Sequence, residues 1–295
     1  VRMLIEIARE VPEGHVVERS HSSDIQARLP RTSSPHADGS IVMRWTAIRK
    51  GRRIHVTAQD ITQLRWLEST FSRFVAPGVI DKLRGLPSEH LLQMETRVVS
   101  ILFADLRGFT RLSQQLSATE IQEMVNSFFA NAVDEVQQLQ GTVDKFIGDE
   151  IMVLFGAPMP FEDHALRALT CAVRMRARHA QWMEERESRG LPAPAIGIGL
   201  TSGSVAVGNV GTPERMEYTA LGHSVNLAAR LCGKAEPQQI LTTRQTYISA
   251  NEAYRGRTTL RNVPRLKFTK AGDLNLKNVN EPVEAVIVNV STTNE

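Results

Sequence analysis

The sequence predicts an α/β fold of the α+β kind, a mixed sheet covered by helices. Three observations lead there. Short apolar runs alternate with longer amphipathic stretches between residues 96 and 292. Glycine-centred turn signals join some of the short runs directly, so hairpins are inserted into the alternation. The composition, 42% hydrophobic and 23% charged, is that of an ordinary globular chain of 295 residues, enough for one domain and a smaller partner.

Three regions follow in order. In residues 1–60, a polar stretch from His21 to Ser40 is rich in Ser, Pro, Asp and His and reads as a long loop. The runs Ile41-Val42-Met43-Arg44-Trp45 and Ile54-His55-Val56-Thr57 flank the turn Arg49-Lys50-Gly51-Arg52, which predicts a hairpin. Residues 61–95 read as helical. Ile61, Leu64, Leu67, Phe71 and Phe74 recur at steps of three and four, a stripe suited to a coupling helix between domains or to packing on its own domain. Ala76-Pro77-Gly78 breaks it, and a shorter helix, Val79 to Leu83, is expected next.

Residues 96–292 carry the main pattern. Val98 to Phe103 is a short buried strand. Ser117-Ala118-Thr119-Glu120 is a capping box opening a helix with Ile121, Met124, Val125, Phe128, Phe129, Ala132, Val136 and Leu139 on one face. Thr142 to Phe155 is a tight hairpin around Gly148. Asp163 starts a helix with Leu166, Leu169, Ala172 and Val173 inward and Arg167, Arg174 and Arg178 on a solvated face. Glu184 to Pro194 reads as a polar loop. Ile196, Ile198 and Leu200 then lead into a second hairpin with Val205 and Val207. No internal repeat is present.

Composition also excludes. A net charge of +3, with the basic residues scattered, gives no case for nucleic acid or a membrane surface. No apolar run has membrane-spanning length, and the start lacks a signal-peptide pattern. Cys171 and Cys232 sit in apolar helical contexts and read as buried free thiols of a reducing compartment, so a cytoplasmic location is expected.

Three short segments carry chemistry. In Phe103-Ala104-Asp105-Leu106-Arg107-Gly108-Phe109-Thr110, a strand ends in a carboxylate and a glycine turn leads into a helix. Turn amides there can cradle phosphate oxygens, and the carboxylate can hold a divalent cation; a plain turn former explains it equally. In Asp144-Lys145-Phe146-Ile147-Gly148-Asp149-Glu150, the Gly-Asp pair is a hairpin-turn signal. If that hairpin lies beside the first strand, Asp105 and Asp149 converge, as two-metal phosphoryl chemistry requires. In Tyr218 to Arg230, Asn226 and Arg230 are four apart on one helix face, while Val225, Ala228, Ala229 and Cys232 face the core. The polar pair serves structure or points at a ribose and a triphosphate.

In this order and spacing, the three segments resemble the catalytic domain of class III adenylyl and guanylyl cyclases. The resemblance spans about residues 68–290 and includes Phe71 to Pro77, Gly199-Leu200-Thr201-Ser202-Gly203, and Leu276 to Val283. It implies a mainly antiparallel sheet of the ferredoxin-like, palm-like cyclase core, and two domains paired head to tail with shared active sites. It implies that Asp105 and Asp149, with the Leu106 carbonyl, hold two divalent ions, Mg2+ or Mn2+. Asn226 and Arg230 of the other copy would serve the ribose and the α-phosphate, and Lys277 the terminal phosphates, although Asn278 stands where the family often has glycine. Gly108, Phe109 and Thr110 form the phosphate-side turn.

Base choice would rest on Lys145 and Thr219. Lys145 only donates, which suits adenine N1, while guanylyl cyclases carry an acidic residue there; Thr219 can accept from the N6 amine. ATP is therefore the expected substrate. Thr219 matches a bacterial subgroup that includes bicarbonate-responsive cyclases, which makes bicarbonate a candidate effector. Gly51 to Glu68 resembles the C-terminal end of a PAS sensor, against the alternative of a ligand-free extension. The competing functions are a guanylyl cyclase, which Lys145 opposes, and an inactive cyclase-like dimerisation module, which the presence of Asp105, Asp149, Asn226 and Arg230 opposes.

Overall fold

The computed structural model describes residues 16–23, 41–51, 53–65, 94–212, 215–256, 258, 260–261, 263–275 and 282–290. The chain divides into two compact units, residues 1–77 and 78–295.

In the N-terminal unit, strands β1 (Val16–Ser23), β2 (Ile41–Lys50) and β3 (Arg53–Asp60) form an antiparallel sheet in that order. The expected hairpin is β2–β3, and Gly51 takes the positive φ of 59° its turn needs. Asp60 ends β3 and caps a helix that opens at Thr62. Its Oδ1 accepts from the Thr62 amide at 2.9 Å and from the Thr62 hydroxyl at 2.6 Å. Thr62 Oγ1 in turn accepts from the Val42 amide at 2.8 Å, which ties the helix start to β2. Ile61 is buried and Leu64 exposed. The rest of the predicted stripe, Leu67, Phe71 and Phe74, and the helix Val79 to Leu83 lie outside the described residues.

The C-terminal unit is the α+β fold with a mainly antiparallel sheet covered by helices. Its strands are β4 (Met94–Leu106), β5 (Thr142–Ile147), β6 (Glu150–Phe155), β7 (Ile196–Thr212), β8 (Arg215–Leu221), β9 (Gln239–Thr243), β10 (Leu266–Leu274) and β11 (Val283–Val290). The sheet order is β10-β11-β9-β7-β4-β6-β5, with β8 paired to β7. Among the described strands, only β7 with β9 is parallel. The helices are α1 (Phe109–Leu112), α2 (Ala118–Gln138), α3 (His164–Ser188), α4 (His223–Lys234) and α5 (Arg244–Arg255).

Helix α2 starts at the predicted capping box. Ser117 Oγ accepts from the Glu120 amide at 3.3 Å, and Glu120 accepts from the Ser117 amide at 2.8 Å. Met124, Phe128, Ala132 and Val136 of α2 join Leu166, Leu169, Ala172 and Met175 of α3 over Leu102, Ile151, Val153 and Ile198 of the sheet, forming the main core. A second cluster, Val99, Ile101, Phe103, Leu154, Val205 and Val207, holds Ala228 and Cys232 of α4 against the opposite side of the same strands.

Four expectations need correction. The strand predicted at Val98–Phe103 runs the full thirteen residues of β4, since β7 pairs with it from Met94 to Leu106. The hairpin expected between Leu200 and Val205 is instead one continuous strand, β7; its glycines admit close neighbours rather than make a turn, and β7 pairs with β8 beyond Thr212. The segment read as a loop from Glu184 stays helical to Ser188. There Arg186 donates to the Pro192 carbonyl at 2.6 Å and lies over the Trp182 ring, so polar residues are held in helix by local partners. Arg167 is not on a solvated face. It is buried, with Nε 2.6 Å from Asp163 Oδ1, Nη1 2.7 Å from Gln140 Oε1, and its guanidinium over the Phe161 ring. Arg178 does lie at the surface, bonded to Asn131 and Asp134.

Candidate active site

Strand β4 delivers Asp105 at its C-terminal end, and β6 lies antiparallel beside it with Ala104 opposite Ile151. The β5–β6 turn is therefore at the same edge. Ile147 faces Glu150 across the two-residue loop Gly148-Asp149, with Gly148 at φ 65° in the position a tight hairpin turn reserves for glycine. The fold thus satisfies the condition set by the sequence, and the two carboxyls lie close enough for Asp105 to hold the proton on Asp149.

Their electrostatics follow from that contact. Burial, the hydrogen bond to Asp105 and the charge of Asp105 push the Asp149 carboxyl up to about 7, against the backbone amides of Asp149 and Leu106. Glu150, half-buried beside them, is also pushed up to about 7, by burial and by Asp105, with Cys232 and Arg107 acting the other way. A carboxyl held protonated by a neighbouring carboxyl is suited to a cation that replaces its proton, so the donor pair fits divalent metal. Among the described residues no group of three or more His, Cys, Asp or Glu side chains is placed to hold a metal ion, and the fit rests on this pair and the adjoining Leu106 main chain.

Arg107 was not singled out from the sequence. Its Nη2 lies 2.9 Å from Asp105 Oδ2 and 3.6 Å from Cys232 Sγ. The guanidinium fills the space over Gly197, where a Cβ would meet it at 2.6 Å. Gly108 follows at φ 73° and opens α1, with the Arg111 and Leu112 amides donating back to its carbonyl. Phe109 packs against the main core, and Thr110 is exposed.

Helix α4 carries Asn226, exposed, and Arg230, half-buried. Its placement explains the Gly199 to Gly203 segment. A Cβ on Gly199 would lie 2.5 Å from the Ala228 carbonyl oxygen and closer still to the Cys232 amide; one on Gly203 would collide with Ser224 Oγ. Thr201 Oγ1 donates to the Ser224 carbonyl at 2.8 Å. The helix therefore lies directly on the β7 backbone. Among the described residues, neither Asn226 nor Arg230 makes a hydrogen bond or ion pair with Asp105 or Asp149 of the same chain.

Lys145 and Thr219 do come together, although β5 and β8 are not adjacent in the sheet. Thr219, buried, donates from Oγ1 to Asp144 Oδ2 at 2.5 Å. Lys145 Nζ lies 2.6 Å from Glu217 Oε2 and 3.5 Å from Asp144 Oδ1. Glu217 and Thr219, two apart on β8, share a face. Consecutive residues on β5 reach the same place because the ladder slips between Val143 and Lys145, a bulge at Asp144. Partial burial would lower the Lys145 ammonium, but Glu217 and Asp144 outweigh it and the net shift is upward. Asp144 and Glu217 escaped the sequence reading; an acidic residue beside Lys145 was a visible signal for the first, and nothing local marked the second. Lys277 lies outside the described residues.

Cys171 and Cys232 are free and buried, and among the described residues no helix is long and apolar enough to cross a membrane.

Residues 92–286 match the model of the adenylate and guanylate cyclase catalytic domain. A Mycobacterium bovis protein and its counterpart in Mycobacterium tuberculosis, both described as uncharacterized, are 38% identical over 229 residues, 70% of this chain and 40% of theirs. The chain thus spans well under half the length of these curated relatives. The adenylyl cyclase CyaB from P. aeruginosa superposes with a TM-score of 0.61 at 28% identity, over 68% of this chain and 97% of that one. The guanylyl cyclase Cya2 gives 0.57 at 32% identity, over 69% and 98%. With the family model covering about two thirds of its length, the chain belongs to the adenylate and guanylate cyclase catalytic domain family.

Proposed function

We propose that this chain is an adenylyl cyclase, closing ATP to 3′,5′-cyclic AMP and pyrophosphate at a site shared between two copies. The observation that carries the reading is the convergence of Asp105 with Asp149 at one sheet edge and of Lys145 with Thr219 at another place in the same unit. Asp105 and Asp149, with Leu106 beside them, would hold two divalent ions, Mg2+ or Mn2+. Bound there, these supply charge neutralisation at the α-phosphate and lower the pKa of the ribose 3′-hydroxyl. The remaining work falls to the chain. Amides of Gly108 to Thr110 face phosphate oxygens, and Lys277 the terminal phosphates. Asn226 of the partner copy orients the ribose. Arg230 of the partner copy stabilises charge as the 3′-oxygen attacks and pyrophosphate leaves. Placing Asn226 and Arg230 on the partner agrees with their lack of contact to the aspartates of their own chain.

Lys145 donates to adenine N1 and Thr219 accepts from the N6 amine, which supports ATP. The 32% identity to the guanylyl cyclase Cya2 keeps GTP as the competing substrate. Residues 61–95 are proposed to couple residues 1–60, a partial sensor or extension, to the catalytic domain in the cytoplasm, with bicarbonate as a candidate effector.

The test is cyclic nucleotide formation from ATP and GTP with Mg2+ or Mn2+, followed by co-expression of Asp149→Ala and Arg230→Ala chains. Each homodimer should be inactive or nearly so. Random pairing makes half the dimers mixed, each with one intact site of two, so about a quarter of wild-type activity should return. No recovery in verified heterodimers would overturn the shared site.

A further inference from the structure

We propose that Asp144 is a positioning residue that fixes the polarity of the Thr219 hydroxyl and thereby sets which purine edge the site accepts; this rests on the nucleotide reading above. A threonine hydroxyl is ambivalent. It has one proton to donate and lone pairs to accept with, and its rotor turns to suit the partner. A free Thr219 would serve the amine at C6 of adenine and the carbonyl at C6 of guanine or hypoxanthine equally well. It would contribute nothing to the choice.

The geometry removes that freedom. Thr219 Oγ1 donates to Asp144 Oδ2 at 2.5 Å, and the Asp144 side chain is wholly buried. The other oxygen, Oδ1, lies 3.5 Å from the Lys145 ammonium, at ion-pair distance without hydrogen-bond geometry. Burial raises the Asp144 carboxyl on balance; the groups that face it, the Thr219 hydroxyl, the Lys145 ammonium and the Ala220 amide, are all donors and pull the other way. With its single proton committed to Asp144, Thr219 presents only lone pairs outward. It then has the polarity of a carboxylate oxygen, takes a donor at C6 and repels an acceptor there. Lys145 from the same bulge presents only donors. The buried carboxylate therefore fixes the Thr219 member of the pair, while Glu217, 2.6 Å from the ammonium, holds Lys145; the bulge at Asp144 is the backbone feature that brings neighbouring residues of β5 to the same place.

A simpler role, in which Asp144 is only a counter-ion for Lys145, makes a different prediction, so the two are separable. The probes are ATP and ITP, which differ at N1 and C6 and share the rest of the purine outline. Asp144→Leu removes the acceptor and keeps the volume. The ratio of kcat/KM for ATP over ITP should fall about tenfold, as the released hydroxyl turns to donate to the C6 carbonyl. In a Thr219→Val background, where there is no hydroxyl to orient, adding Asp144→Leu should leave the ratio unchanged. A fall of equal size in that background would assign the effect to Lys145 or to packing and overturn the proposal, as would an unchanged ratio in the otherwise wild-type chain. If Asp144→Leu does not fold, Asp144→Val, suited to a strand, replaces it. A wild-type chain that makes no cyclic nucleotide would sink the cyclase reading instead. The ratio of dissociation constants for 3′-deoxy ATP and 3′-deoxy ITP, which cannot cyclise, would then test the same polarity without turnover.

Discussion

Gly199→Ala should damage both stability and catalysis, although Gly199 touches no substrate group. The added Cβ would sit 2.5 Å from the Ala228 carbonyl oxygen, 2.6 Å from Cys232 Cα, and nearer still to the Cys232 amide nitrogen. Ordinary contact begins near 3.4 Å, and the obstacles are helix backbone rather than the flexible end of a side chain. Helix α4 must therefore move off β7 by about 1 Å, a core overpacking of the kind that costs on the order of 3 kcal/mol. For a unit of about 200 residues this lowers Tm by roughly 6–12 °C. The same displacement moves Asn226 and Arg230, and misplacing a positioning group by about 1 Å costs roughly a hundredfold in rate. Gly233→Ala is the control, since a Cβ there meets nothing within 4 Å. The assay is thermal unfolding beside cyclic AMP formation at a temperature where both variants are folded. A Gly199→Ala chain that melts with wild type would refute the backbone-on-backbone seating of α4; one that melts low yet turns over normally would refute the placement of Asn226 and Arg230 by it.

Acid should stabilise the metal-free domain. Asp149 and Glu150 both sit near 7 when folded, against about 4 in the unfolded chain, so the folded state binds their protons more tightly between those values. Their contribution is present near pH 4–5 and lost as the pH rises through 7. Tm measured in chelator should fall from pH 5.5 to pH 8, less steeply in Asp149→Asn, and Mg2+ should raise it at pH 8; a flat wild-type profile would contradict the carboxyl pairing. Arg167→Met removes the cation 2.6 Å from the buried Asp163 and leaves it the neutral Thr258 hydroxyl at 2.9 Å, which should cost about 3 kcal/mol. Calorimetry should show Tm lower by on the order of 10 °C, with part regained on adding Asp163→Asn. Lys145→Glu with Thr219→Cys should shift the ATP:GTP ratio towards GTP by roughly tenfold to a hundredfold; an unchanged ratio would mean these side chains do not read the base.

What the sequence by itself determined is whatever depends on neighbours within a turn or a strand. The capping box of Ser117 and Glu120, the tight turn at Gly148, the start of a helix after Asp60 and the common face of Asn226 and Arg230 are all legible, because each is set by residues at most four apart. The chemistry-bearing types at Asp105, Asp149, Lys145 and Thr219 are legible for the same reason. What only the tertiary structure decided is which of them meet. Asp144 binds Thr219 across 75 positions, and Lys145 binds Glu217 across 72. The bulge that turns Asp144 and Lys145 to one side is a property of the β5–β6 ladder and leaves no mark in the alternation. Gly199 to Gly203 looks like a turn in isolation, yet it is central strand, because β4 and β9 satisfy its backbone and α4 needs the missing side chains. Arg167 looks solvated from its helix period alone, but Asp163, Gln140 and Phe161 close over it. A polar side chain is satisfied by whatever partner the fold brings within about 3 Å, and that distance is fixed by packing between elements remote in sequence.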